Sequence, residues 1–78
     1  MSIFPNPAVD QLIVNMNDAS EEVDGVIIRN LMGQVVSTVS VQGQQRLELE
    51  VSSLPKGVYV VEFQNENSIL GVQKFVKS

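Results

Sequence analysis

Few side chains in this 78-residue chain could perform chemistry. The absence of cysteine and histidine removes the thiol nucleophile, the commonest general base and the commonest zinc ligands. What remains is a carboxylate pair, Glu48 and Glu50, or a pairing of Ser52 or Ser53 with Lys56. The glutamates share the solvent face of a predicted strand, and the serines are expected to form hydroxyl–backbone turn bonds. We therefore predict no catalytic residue and no enzymatic activity.

Four carboxylates, Asp18, Glu21, Glu22 and Asp24, follow one another closely and could suggest a calcium site. They lack the alternating spacing and the distal glutamate of an EF-hand loop, so solvated loop carboxylates are the favoured interpretation. The glycines are scattered and form no phosphate-binding loop. Neither a metal nor a cofactor is predicted.

Composition limits the possible partners. The net charge of −4 argues against nucleic acid and against anionic membrane surfaces. No apolar run is long enough to cross a bilayer, and the N-terminus does not resemble a signal peptide. The length allows one domain, predicted over residues 3–78, with Met1 and Ser2 as residues added ahead of an excised piece of a larger protein.

The stretch from Leu54 to Phe63 begins as a turn and continues as a strand. Pro55 fixes its own φ and keeps the preceding residue extended, whereas Gly57 permits a positive φ. The residues that follow are mostly β-branched or aromatic, as in a buried strand. Tyr59 can bury its ring and donate its hydroxyl to the backbone across the corner. The alternative is an ordinary buried strand behind an ordinary loop.

Alternating apolar residues predict further strands. Leu12, Val14 and Met16 share one face, and every second residue of 46–51 is apolar. No helical periodicity is present, and a chain of about six or seven short strands is predicted to form an all-β antiparallel sandwich. The predicted strands are 11–16, 26–31, 35–41, 46–51, 58–63 and 69–77, with a tight hairpin at Gly33.

Both ends of the chain carry specific expectations. Phe4 is expected to pack as an anchor, and Asn6, which precedes a proline, to close an Asx-turn. In the last strand the apolar parity breaks between Val72 and Phe75. Either both faces of that strand are partly covered or a bulge intervenes.

Four segments, taken in order, resemble the type A C-terminal sorting domain of the type IX secretion system, also called the Por secretion system. The resemblance covers Ile3 to Lys77, and it depends on the order and spacing of the segments rather than on one motif. Asn30 departs mildly from the family, which often has aspartate there. The segments are Phe4-Pro5-Asn6-Pro7, Asn30-Leu31-Met32-Gly33-Gln34-Val35-Val36, Val51-Ser52-Ser53-Leu54-Pro55-Lys56-Gly57-Val58-Tyr59-Val60-Val61 and Lys74-Phe75-Val76-Lys77.

The resemblance implies an immunoglobulin-like sandwich that acts as a transport address in Bacteroidota. An N-terminally fused cargo would reach the periplasm through its own signal peptide. The folded domain would then be recognised by the outer-membrane translocon, without spanning the membrane itself. A sortase-like peptidase at the cell surface would commonly remove the domain and join the cargo to anionic lipopolysaccharide, so the cargo would end at the surface or be secreted.

The resemblance also implies motif positions, most of which we interpret as fold-determining. The last strand is the favoured site of direct recognition, because an exposed edge can add to a partner sheet. Within it, Phe75 and Val76 are expected to pack and Lys74 and Lys77 to be exposed. The motif positions are Pro5, Asn6, Pro7, Gly33, Leu54, Pro55, Gly57, Val58, Tyr59, Lys74, Phe75, Val76 and Lys77.

Two other functions stay open. The chain could be an adhesion or spacer module of a larger extracellular protein, like fibronectin-type domains. A carbohydrate-binding module is disfavoured, because the chain has one tyrosine, three phenylalanines and no tryptophan. A sorting domain would end its reading frame at or near Ser78, whereas further domains would follow a spacer.

Overall fold

Seven strands arranged in two sheets make up the fold in a computed structural model, which describes residues 1–16 and 22–78. The described residues contain no helix, and hence none long and apolar enough to cross a membrane. The predicted all-β sandwich is therefore confirmed. The strands are β1 (Ser2–Phe4), β2 (Gln11–Asn15), β3 (Gly25–Asn30), β4 (Val35–Ser40), β5 (Arg46–Glu50), β6 (Gly57–Asn65) and β7 (Ser68–Lys77).

Sequence order and sheet order differ, because the chain crosses between the sheets. One sheet has the order β1-β2-β5 and the other has the order β4-β3-β6-β7. All strand pairs within the sheets are antiparallel. β1 was not predicted; it begins at Ser2, which pairs with Asn15.

The core lies between the two sheets and follows the predicted alternation. In β5, Leu47 and Leu49 are buried while the charged residues between and beside them are exposed. The facing sheet contributes the apolar residues of β3, β6 and β7. Side chains that point inward from both sheets interdigitate, which is how a sandwich of this size buries its apolar surface. The buried cluster includes Leu12, Val14, Met16, Val26, Ile28, Val51, Tyr59, Val61, Phe63 and Phe75.

The strand β7 contains a bulge, one of the two predicted alternatives, but ahead of the expected position. The register with β6 shifts between Phe63 and Gln64, which leaves Leu70 without a partner. From Gly71 to Lys77 the register is unbroken. The apparent break in parity arises because Val72 faces solvent while Phe75 faces the core.

Two expectations differ from the structure or fall outside it. The predicted anchor role of Phe4 is wrong, because its side chain is 44% exposed on the edge strand β1. Of the acidic cluster, Asp18 and Glu21 lie outside the described residues. Asp24 instead accepts a hydrogen bond at Oδ2 from the Glu66 backbone N–H, 2.9 Å away. The described residues contain no group of three acidic side chains able to hold a metal.

Candidate recognition site

The motif segments meet at one end of the four-stranded sheet, although they are dispersed along the sequence. Asn30, the last residue of β3, lies opposite Tyr59, which in turn lies opposite Phe75. Gly57 lies opposite Lys77 at the same end. We call this the motif end, defined by Asn30, Gly57, Tyr59, Phe75 and Lys77.

The segment before β2 closes the outer edge of β7. Asn6 accepts a hydrogen bond at Oδ1 from the Val76 N–H (3.0 Å) and donates from Nδ2 to the Lys74 carbonyl (3.4 Å). Ala8 forms a parallel bridge with β7: its N–H donates to the Val76 carbonyl, and its carbonyl accepts from the Ser78 N–H, both at 2.8 Å. The prolines on either side of Asn6 follow cis peptide bonds and are exposed.

This closure corrects two expectations. Asn6 binds a strand about 70 residues away instead of closing an Asx-turn. The edge of β7 from Lys74 to Ser78 is occupied by Asn6 and Ala8, so it is not open for a partner strand. Sequence reasoning missed Ala8 altogether, because nothing in its neighbourhood signals a partner at the other end of the chain.

The corner predicted at Tyr59 is confirmed. The Tyr59 hydroxyl donates to the Pro55 carbonyl at 2.6 Å, and its ring is buried. Gly57, between them, has φ 154°, and Leu54 packs partly buried against the core. The Tyr59 and Phe75 rings stack with centroids 5.4 Å apart and planes inclined by 21°. The turn motif and the last strand are thereby linked through one aromatic pair.

We expect Tyr59→Phe to lower the free energy of unfolding by roughly 0.5–1.5 kcal/mol. The substitution keeps the ring and its stacking but removes the hydroxyl that reaches Pro55. Urea unfolding followed by far-ultraviolet circular dichroism measures the difference. A variant as stable as the parent would mean that the hydroxyl bond contributes nothing to the corner.

The exposure of the last-strand residues differs from the prediction at two positions. Lys77 is buried, with 7% of its surface exposed, and its Nζ donates to the Ser78 carbonyl at 3.1 Å. The Lys77 side chain points inward because successive side chains of β7 alternate between the two faces of the sheet, and Phe75, two residues earlier, faces the core. Val76 is exposed instead of packed, and lies opposite Val58 on the outer face of the sheet. Lys74 is exposed, as predicted, and Phe75 is fully buried.

The β3–β4 hairpin is held by side chains at its base. Asn30 Oδ1 accepts from the N–H groups of Met32 (2.9 Å) and Gln34 (3.0 Å), and its Nδ2 donates to Gln34 Oε1 (2.8 Å). Arg29 Nη1 donates to the carbonyl of Gly33 at 3.0 Å. Gly33 has φ 84°, which confirms the predicted left-handed residue. These bonds connect the two sides of the turn and stabilise it.

The charges are unevenly distributed. Of the five cationic side chains, Arg29, Lys56, Lys74 and Lys77 lie at or next to the motif end. Arg29 forms an ion pair with Glu62 at 3.0 Å. At the opposite end of the same sheet, the bond between Asp24 and Glu66 places two acidic residues together. The motif end is therefore the more positive end of a chain whose net charge is negative.

The candidate catalytic residues do not assemble into a site. Glu48 and Glu50 are exposed, and Glu48 lies 3.7 Å from Arg46 in a solvent-facing ion pair. Ser52 and Ser53 are exposed in a turn. That turn is closed by the backbone, with the Leu54 N–H donating to the Val51 carbonyl at 3.0 Å, and not by the predicted hydroxyl bonds.

A family model described as "Secretion system C-terminal sorting domain" matches residues 2–78, and therefore almost the entire chain. Comparison with individual curated proteins gives no match. The matched range includes every motif segment that meets at the motif end. The chain therefore belongs to the family of type IX secretion system C-terminal sorting domains, which act as export signals for the proteins that carry them.

Proposed function

We propose that this domain is recognised as a folded module by the outer-membrane translocon of the type IX system. Its cargo, joined to the N-terminal side, first reaches the periplasm through a separate signal peptide. After translocation a sortase-like peptidase removes the domain and attaches the cargo to anionic lipopolysaccharide. The family match over residues 2–78 is the observation that carries this proposal.

The arrangement of the motifs supports recognition of a fold and not of a linear tag. Asn6, Tyr59 and Val76 are separated in sequence but connected in space by the edge closure and the aromatic pair. A receptor that read these residues in an extended chain would have to open the core around Phe75. The motif residues accordingly act first by building one end of the sandwich.

The proposal is tested by fusing the domain to the C-terminus of a fluorescent passenger that carries a periplasmic signal peptide. In a host with a working type IX system, we expect the passenger at the cell surface or in the medium. The same fusion in a host without that system, and the passenger alone in the competent host, should both remain periplasmic. A correctly folded fusion that stays periplasmic in the competent host would contradict the proposal and favour the spacer-module alternative.

A further inference from the structure

The outer edge of β4 is left open, whereas the other sheet edges are protected. Asn6 and Ala8 cover the C-terminal half of β7, and the bulge at Leu70 interrupts its other half. β5 presents charged side chains, and β1 has three residues. Within residues 1–16 and 22–78, no strand pairs with the outer edge of β4. Natural sheets protect such edges against unwanted pairing, so an open one indicates a use.

The open edge has regular geometry. β4 has a register shift at Val36, but from Ser37 to Ser40 its pairing with β3 is unbroken. The Val41 N–H donates to the carbonyl of Asp24, the residue just before β3, so by alternation the N–H and C=O groups of Ser40 and Thr38 point away from β3. These groups can accept a further antiparallel or parallel strand.

The edge and both turns that flank it carry no charge. From Asn30 to Gln45 the sequence contains no acidic or basic residue, although the chain has nine acidic and five basic residues in total. Exposed edge strands usually carry lysine or another charge that opposes pairing. A charged partner strand would find no countercharge along this edge, whereas an uncharged one would bury no unpaired charge by pairing here.

Two large apolar side chains extend from the hairpin that leads into β4. Leu31 is 70% exposed and Met32 is 83% exposed. The turn that presents them is fixed by the hydrogen bonds of Asn30 and Arg29. A preorganised apolar tip needs little ordering when it enters a partner's pocket, because its backbone conformation is already set.

We propose that the outer edge of β4 (Ser37–Ser40) and the Leu31–Met32 tip form the docking surface of this domain. The occupant is an extended, uncharged strand of the secretion machinery, with an apolar pocket for the tip. The inference rests on the proposed function and specifies which surface carries it. It replaces the last strand, whose edge is closed, as the point of strand addition.

A second copy of the chain fits this surface less well. In a two-fold antiparallel pairing centred on Thr38, the hairpin end of one copy would face the segment after Ser40 of the other, which contains Gln42, Gln44 and Gln45. Those glutamines are exposed and polar, so the apolar tip would stay without an apolar partner. Each copy also carries a net charge of −4, which opposes self-association.

The test uses the passenger fusion with two variants and two matched controls. The edge variant is Thr38→Lys with Ser40→Lys, and its control, Ser52→Lys with Ser53→Lys, adds the same charge at an exposed turn. The tip variant is Leu31→Ser with Met32→Ser. Its control, Ile69→Ser with Val72→Ser, removes two apolar side chains that are each 56% exposed elsewhere. All four change exposed side chains, so thermal unfolding should remain close to that of the parent.

We expect the edge and tip variants each to lower the exported amount of passenger by about tenfold. A tenfold weakening of binding requires the loss of only a small part of the binding free energy of a typical interface. Both controls should export like the parent. If the parent and the edge variant are both fully exported, the proposed docking surface is wrong, but the proposed function still stands. A folded parent that is not exported would overturn the proposed function and this inference with it. If sedimentation shows that the parent is a dimer and the edge variant is a monomer, the edge binds a second copy of the chain and the proposed occupant is wrong.

Discussion

A domain that carries Val61→Asp is expected to unfold and to lose export, although every residue of the sorting motifs is retained. Val61 is fully buried in the centre of β6. The substitution removes apolar contact and places a carboxyl group among the buried apolar side chains of the core, at a cost of about 5 kcal/mol or more. A domain of this length has roughly 4–12 kcal/mol of stability, so the folded state would lose most of its population.

The matched control is Val72→Asp, the same chemical change at an exposed position on β7. We expect its stability to stay within about 0.5 kcal/mol of the parent, since surface substitutions usually have effects of that size. Circular dichroism and protease resistance report folding, and the passenger fusion reports export. Export of an unfolded Val61→Asp fusion would show that the machinery reads a linear tag, and the folded-module proposal would be wrong.

Phe75→Ala is expected to destabilise the domain by about 3–5 kcal/mol. Phe75 is fully buried, and it forms the stacked pair with Tyr59 that joins the last strand to the corner. Removing its ring leaves a cavity that the surrounding sandwich can fill only in part. Urea unfolding followed by far-ultraviolet circular dichroism measures the loss, since the chain contains no tryptophan.

The adjacent residue provides the control for Phe75→Ala. Val76 lies on the outer face and is exposed, so Val76→Ala should change the free energy of unfolding by no more than about 0.5 kcal/mol. The backbone bonds of Val76 to Asn6 and Ala8 do not depend on its side chain. Equal effects of the two substitutions would contradict the inward assignment of Phe75.

The features that could be predicted from the sequence are those determined by near neighbours. The Tyr59 corner joins residues four positions apart, and the hairpin at Gly33 depends on one backbone conformation. The alternation along β5 sets which of its faces is buried. In each case the pattern and the interaction lie within the same few residues, so local physical chemistry is sufficient.

The features that could not be predicted depend on partners at the other end of the chain. Asn6 has the features of an Asx-turn residue, but its partner is the backbone of β7. Lys77 was expected to be exposed because lysine usually is, whereas the parity of β7 places it inside. Whether a strand edge is open depends on which distant segment covers it. That information is contained in the topology and not in any local pattern.

The parallel closure between Ala8 and Lys77 also determines how the domain bears mechanical force. A load applied between an N-terminally attached cargo and Ser78 pulls these two parallel segments in opposite directions along their length. The bonds from Ala8 to Val76 and Ser78, and those of Asn6, are then strained together in shear and not peeled apart one at a time. The domain should therefore resist unfolding by tension applied between its two ends.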